Sequence, residues 1–257
     1  MKALKILEAF DNEVTDKGFS RREAFNKGIN LGLKGLFAAV PLAMLLKPTK
    51  TYAGTTSAVD VLNFALTLEY LEAKFYQMGL SAGIVPSSDT AVITQIGKHE
   101  TSHVATLKAA ISSAGGTPVA EPSFDFTAGG SFPDVFTNYA TFLTLANAFE
   151  DTGVRAYKGQ APNLLGTDLL TAALDIHSVE ARHASEIRRL RGQKGWITGN
   201  MTTGVPATIY AGEDNVTQGG VDVTTVTTVT AAYIMEAFDE PLTMAQVLAI
   251  AKPFIKM

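Results

Sequence analysis

Two Glu-x-x-His tetrads, Glu100-Thr101-Ser102-His103 and Glu180-Ala181-Arg182-His183, sit in separate apolar stretches of this chain. Residues three apart on an α-helix lie on one face, a turn apart, so each tetrad sets a carboxylate beside an imidazole. About thirty residues before each tetrad lies a lone glutamate in another apolar stretch: Glu69 in the run Leu62 to Tyr70, and Glu150 in the run Leu145 to Asp151. Glutamate followed by Glu-x-x-His, twice over, is the ligand layout of a dinuclear metal site in a four-helix bundle.

The two halves match beyond these six residues. Glu69 and Glu150 are each followed seven positions later by a tyrosine, Tyr76 and Tyr157, two turns on and on nearly the same face. Lys74 and Arg155 also fall at equal offsets from their glutamates. The chain reads as two helix pairs built on one template.

Apolar residues at helical spacing mark out the pairs. The first pair runs from Ser57 to Gly79 and from Asp89, a candidate cap, to Ala114, just ahead of Gly115-Gly116. The second spans Phe132 to Lys158 and Thr167 to Arg191. Gly115 to Ser131, rich in Gly, Pro and Ser, lies between them. Extended, it covers on the order of 50 Å, enough to run along a bundle of roughly 30–40 Å. The expected fold is all-α, a four-helix bundle with one long crossover. After Trp196 the chain turns polar. Thr198 to Thr230 is rich in Gly and Thr, and its Val223, Val226 and Val229 fit neither a strand nor a helix. It reads as an ordered wrap over the bundle or at an oligomer contact. Pro241 to Met257 then reads as a short closing helix with Val247, Leu248, Ile250, Ala251 and Phe254 on its apolar side.

At 257 residues and 46% hydrophobic side chains, the chain can bury one sizeable core without a second domain. Glutamates inside such a core cost on the order of several kcal/mol each unless neutralised or paired. Two divalent ions set four positive charges against four carboxylates, a balance that favours burial. The absence of cysteine excludes disulfides, thiolate metal sites and cysteine nucleophiles.

Neighbouring residues take lesser roles. Glu72, one turn from Glu69, is an alternative ligand, but only Glu69 shares the tyrosine register of Glu150. His177, one turn before Glu180, points to the rim of the site or to solvent, and His99 is not expected to ligate. Glu186, with Arg182 and Arg189 at helical spacing, reads as a surface ion pair. Gly79-Leu80-Ser81-Ala82-Gly83 matches the Gly-x-Ser-x-Gly of a hydrolase elbow, which needs a strand before it and a helix straight after. Here it follows a helix and leads to Pro86, so it is a helix stop.

The first 53 residues differ from the rest. They hold nine Lys/Arg against five Asp/Glu, which leaves 12 basic against 20 acidic residues from Gly54 onward. An acidic body excludes nucleic acid as a natural partner. Ser20-Arg21-Arg22-Glu23-Ala24-Phe25, the mostly apolar run Gly28 to Leu46, and Ala53 before a candidate cleavage point resemble a twin-arginine export signal. Its longest charge-free stretch, Gly35 to Leu46, contains Pro41 and is too short for a stable membrane span. The expected location is periplasmic or exported, with no stable membrane span after processing.

Together these residues resemble the ferritin-like superfamily of di-iron and di-manganese carboxylate proteins. They are closest to its bacterial branch of desiccation-associated ferritin-like domains, which commonly carry an export segment and a C-terminal stretch like Ala237-Phe238-Asp239-Glu240-Pro241-Leu242-Thr243. The resemblance runs from about Ser57 to the C-terminus and implies residues 1–53 as leader, 54–196 as bundle and 197–257 as an extension packed on it. It implies Glu69 and Glu150 as single-helix metal ligands, Glu100 with His103 and Glu180 with His183 as paired ones, and Tyr76 and Tyr157 as phenols that support them. The implied cofactor is two divalent ions, Fe or Mn, and the implied activity is redox chemistry with dioxygen or peroxide, as a ferroxidase, peroxidase or catalase-like enzyme. The alternative is a non-enzymatic envelope stress or desiccation protein whose metal pair holds the fold. The Thr/Gly-rich tail and leader argue against an iron-storage cage and leave room for a smaller homo-oligomer.

Overall fold

The computed structural model describes residues 57–200 and 204–256. The export motif and the expected cleavage at Ala53 lie outside the described residues. Helix α1 (Ala58–Ser81) opens with a capping box, in which the Ser57 hydroxyl accepts from the Asp60 amide and the Asp60 carboxylate accepts from the Ser57 amide. Helix α2 (Thr90–Ser113) has Asp89 at its cap position, but the side chain makes no capping bond. The Asp89 carboxylate instead accepts from the Tyr139 hydroxyl at 2.9 Å, which ties the start of α2 to the start of α3 (Tyr139–Gln160).

The apolar pattern predicts α3 from Phe132, and the helix begins seven residues later. Pro133 biases the preceding residue away from helical geometry. Asp134 then accepts from the Asn138 amide and the Thr141 hydroxyl, and Asn138 accepts from the amides of Ala140 and Thr141. These local bonds hold 134–138 as a turn and place the cap at Asn138. Helix α4 (Leu169–Leu190) stops at Gly192, whose φ of 72° lets the Gln193 amide close back on the Arg188 carbonyl.

α1 packs along α2 and α3 along α4, and contacts of α1 with α3 and of α2 with α4 join the pairs. The buried residues of α2 are Ile93, Ile96, Glu100, His103, Leu107 and Ile111, a three-and-four spacing in which a carboxylate and an imidazole interrupt one apolar stripe. α4 repeats it with Ala173, Ile176, Glu180, His183 and Ile187. One apolar cluster around Phe75, Phe142 and Ile187 fills one end of the bundle, and another around Leu66, Leu107 and Ile176 fills the other. Each fully buried large aliphatic contributes about 1.5–3 kcal/mol. The polar layer therefore lies between two apolar plugs.

Among the described residues there are also four two-residue strands and two short helices: β1 (Ser123–Phe124), β2 (Thr217–Gln218), β3 (Val221–Asp222), α5 (Ala231–Met235), α6 (Met244–Ala251) and β4 (Ile255–Lys256). β1, in the crossover, pairs antiparallel with β4 at the C-terminal end, and β2 pairs with β3. The expected wrap is a hairpin flanked by 3-10 turns, and its Val226 and Val229 are exposed. The closing helix is shorter than the predicted span to Met257. A Thr243–Gln246 capping box starts it, and Pro253 turns its end into a 3-10 segment that feeds β4. Before it, the Leu242 amide donates to the Arg155 carbonyl. A Cβ at Gly159 would meet the Leu242 carbonyl oxygen at 1.9 Å, so only glycine permits so close an approach. No helix among the described residues is long and apolar enough to cross a membrane.

Candidate metal centre

The register of the four helices brings Glu69 from α1, Glu100 and His103 from α2, Glu150 from α3, and Glu180 and His183 from α4 into one layer. All four glutamates are fully buried, and the two histidines nearly so. His103 Nδ1 lies 3.1 Å from a carboxylate oxygen of each of Glu69, Glu100 and Glu180. His183 Nδ1 lies 2.7 Å from Glu100 Oε1 and 3.3 Å from Glu150 Oε2. Two groups result, Glu69 with Glu100, His103 and Glu180, and Glu100 with Glu150, Glu180 and His183. Within each, the donor atoms lie within 4.8 Å of one another. Glu100 and Glu180 belong to both.

Glu100 Oε1, Glu150 Oε2, both Glu180 carboxylate oxygens and His183 Nδ1 are buried without a hydrogen-bond partner. The close approaches of His183 Nδ1 to Glu100 and Glu150 are thus contacts of distance without hydrogen-bond alignment. A buried polar atom left unpaired costs about 1–3 kcal/mol, more when charged. Carboxylate oxygens and imidazole nitrogens converging at such distances fit a divalent cation, which bonds all of them at once.

Without a cation, protons take its place. Burial pushes Glu69 up to about 7, raises Glu150, and drives Glu180 well above the usual carboxylate range. Burial also opposes ionisation of Glu100, but the hydrogen bond from His103 and the nearby positive charges of His183 and His103 outweigh it and hold Glu100 down at about 2. For the imidazoles burial works against the charge, yet the glutamates around them push His103 up to about 12 and His183 up to about 11. The two imidazolium groups act as the counter-ions of the cluster.

Both tyrosines reach across the bundle. Tyr76 on α1 donates to Glu150 Oε1 on α3, and Tyr157 on α3 donates to Glu69 Oε1 on α1, each at 2.5 Å. Each phenol fixes one oxygen of a carboxylate whose other oxygen faces a histidine. The matched offsets read from the sequence are thus reciprocal contacts. Lys74 and Arg155 share no such role: Lys74 lines a groove between α1 and α2, while Arg155 is fully buried against Glu213 and the carbonyls of Ile209, Ala211 and Glu240.

Two residues gain importance over their sequence reading. His99 belongs to neither donor group, but its Nδ1 lies 2.9 Å from His183 Nε2, the rings stack at 5.2 Å, and Gln95 Nε2 lies 2.7 Å from His99 Nε2. It holds the ring whose other nitrogen faces the carboxylates. Nothing local in the sequence marks this, because the partner lies on another helix. Glu72 also lies outside both groups, with Glu69 inside one. It is nevertheless buried, and burial followed by the charges of Glu180 and Glu150 raises its pKa well above the usual value. His177 Nε2 is buried and unbonded, and His177 belongs to neither donor group. No ion pair joins Glu186 to Arg182 or Arg189 among the described residues.

A four-helix bundle with a single crossover and a central layer of buried glutamates and histidines is a scaffold compatible with a metal site. A model of the ferritin-like domain matches residues 57–193, and the chain belongs to that family. No curated protein matches it.

Proposed function

We propose that this chain binds two divalent transition-metal ions, iron or manganese, and uses them for redox chemistry with dioxygen or peroxide. The observation that carries the reading is the sharing of Glu100 and Glu180 between two four-residue donor groups. With Glu100 and Glu180 common to both groups, Glu69 and His103 would complete the hold on one ion and Glu150 and His183 on the other. When bound, such a pair would supply two electrons to, or take two from, dioxygen or peroxide.

The chain's own contributions follow from its geometry. Tyr76 and Tyr157 orient the terminal carboxylates through their hydroxyl bonds. His99 fixes the ring of His183 through its Nε2, leaving Nδ1 for the centre. Four ionised glutamates would balance two dications. The aromatic plug around Phe75, Phe142 and Phe149 keeps bulk water from that end of the layer.

Anaerobic loading with ferrous or manganous ion, followed by mixing with dioxygen and separately with hydrogen peroxide, tests the reading. Consumption of one oxidant in proportion to bound metal is expected, and it is lost in Glu100→Ala and Glu180→Ala. Fully loaded protein that consumes neither oxidant contradicts a redox role and leaves the metal pair a structural one.

A further inference from the structure

A cavity of about 330 Å³ lies between α6, the crossover and residues 206–209, over Leu145, Ala148 and Phe149 of α3. Only Ser131 and Thr208 bring polar side chains to its wall. A lining of this kind favours small nonpolar molecules over polar ones. Phe149 and Ile250 also bound a second, inner chamber of about 10 Å³, which Glu72, Thr152 and Gly153 help to close. That volume holds a single water-sized molecule. A Cβ at Gly153 would stand 3.2 Å from Glu180 Oε2 and 3.3 Å from Glu72 Oε1, so the missing side chain is what leaves space between the inner chamber and the carboxylate layer. Glycine inside a helix costs about 0.5–1 kcal/mol relative to alanine, and here it opens α3 toward the cluster.

We propose that the two cavities form the entry path for dioxygen, with Phe149 and Ile250 as the partition between outer and inner chambers and Gly153 as the opening onto Glu180. The proposal rests on the redox reading of the centre. The inner chamber has room only for a molecule near the size of water and excludes organic substrates. The outer wall favours a nonpolar gas over peroxide, which would leave its hydrogen bonds to water unmade. Phe149, Ile250 and Ala249 belong to neither donor group, so the path can be closed at the partition or the mouth without removing a metal ligand.

Two measurements on the full chain test it. In crystals pressurised with xenon, density is expected in the outer cavity against Phe149, Ile250 and Pro206; its absence overturns the proposal. In stopped-flow mixing of the reduced, metal-loaded protein with dioxygen, Ile250→Trp is expected to slow the reaction by about tenfold with metal content unchanged, because a filled partition must open before the gas can pass. Ala249→Trp, at an exposed position on the mouth, gives the same readout should the first variant fail to fold. A reactive wild type whose rate neither substitution changes overturns the path alone. A loaded wild type inert to dioxygen overturns the path, whatever xenon occupies, and one inert to peroxide as well overturns the redox reading with it.

Discussion

Residue identity decided much of the site in advance. Glu100, His103, Glu180 and His183 were legible because their spacing states which side chains share a helix face, and Glu69 and Glu150 because a shared tyrosine register singled them out. Tyr76 and Tyr157 earned their place by equal offsets, and each proves to donate to the other half's glutamate. His99 was not legible, since its bond to His183 spans two helices and no periodicity encodes such a pairing. The contact has a measurable effect. Removing the group that orients a ligating imidazole typically costs about 10–100-fold in metal affinity. His99→Ala is therefore expected to weaken one of two binding steps by that margin in a competition titration, while the step assigned to Glu69 and His103 stays within error. His99→Gln, which keeps a hydrogen-bonding group, is expected to recover part of the loss. Equal weakening of both steps would contradict the assignment.

Whole elements were legible where an apolar stripe was long and missed where local bonds competed with it. α1, α2 and α4 fall within two residues of the predicted spans because their stripes end at glycines or caps. α3 starts late because Asp134 and Asn138 satisfy one another and the first amides of the helix, information carried by side-chain hydrogen bonding that hydropathy does not register. α6 ends early at Pro253. Lys74 and Arg155 share an offset but not a role: Lys74 lines a groove between α1 and α2, whereas Arg155 bonds to the C-terminal extension. That arginine holds the extension to α3 through Glu213 and three carbonyls. Its guanidinium lies wholly inside the protein, and removing one partner of a buried ion pair costs about 3–5 kcal/mol. Arg155→Ala is expected to lower the unfolding free energy by that amount in urea titration, with faster proteolysis after residue 200. A change below about 1 kcal/mol, the scale of an exposed pair, would show that the extension is held by other contacts.

At the scale of the whole molecule, the metal-free bundle is a proton-binding device. Glu69 rises from 4.5 to about 7 on folding, Glu72, Glu150 and Glu180 move the same way, and His103 and His183 climb from 6.5 to about 12 and about 11. For each of these the folded chain holds a proton that the unfolded chain releases, so stability falls as pH rises from the unfolded value toward the folded one. Glu100, held at about 2, opposes this, but its contribution is already complete above about pH 5. The melting temperature of the metal-free protein is therefore expected to be lower at pH 8 than at pH 5.5. Metal binding requires these donors to give up their protons, so the stabilisation added by metal is expected to be larger at pH 8. A metal-free melting temperature that rises across this interval would contradict the coupling. The central claim, that four helices gather six side chains around two cations, is tested most directly by anomalous diffraction from crystals of the manganese- or iron-loaded chain. Two peaks are predicted, one among Glu69, Glu100, His103 and Glu180, the other among Glu100, Glu150, Glu180 and His183. A single peak, or metal bound only elsewhere on the chain, would contradict it.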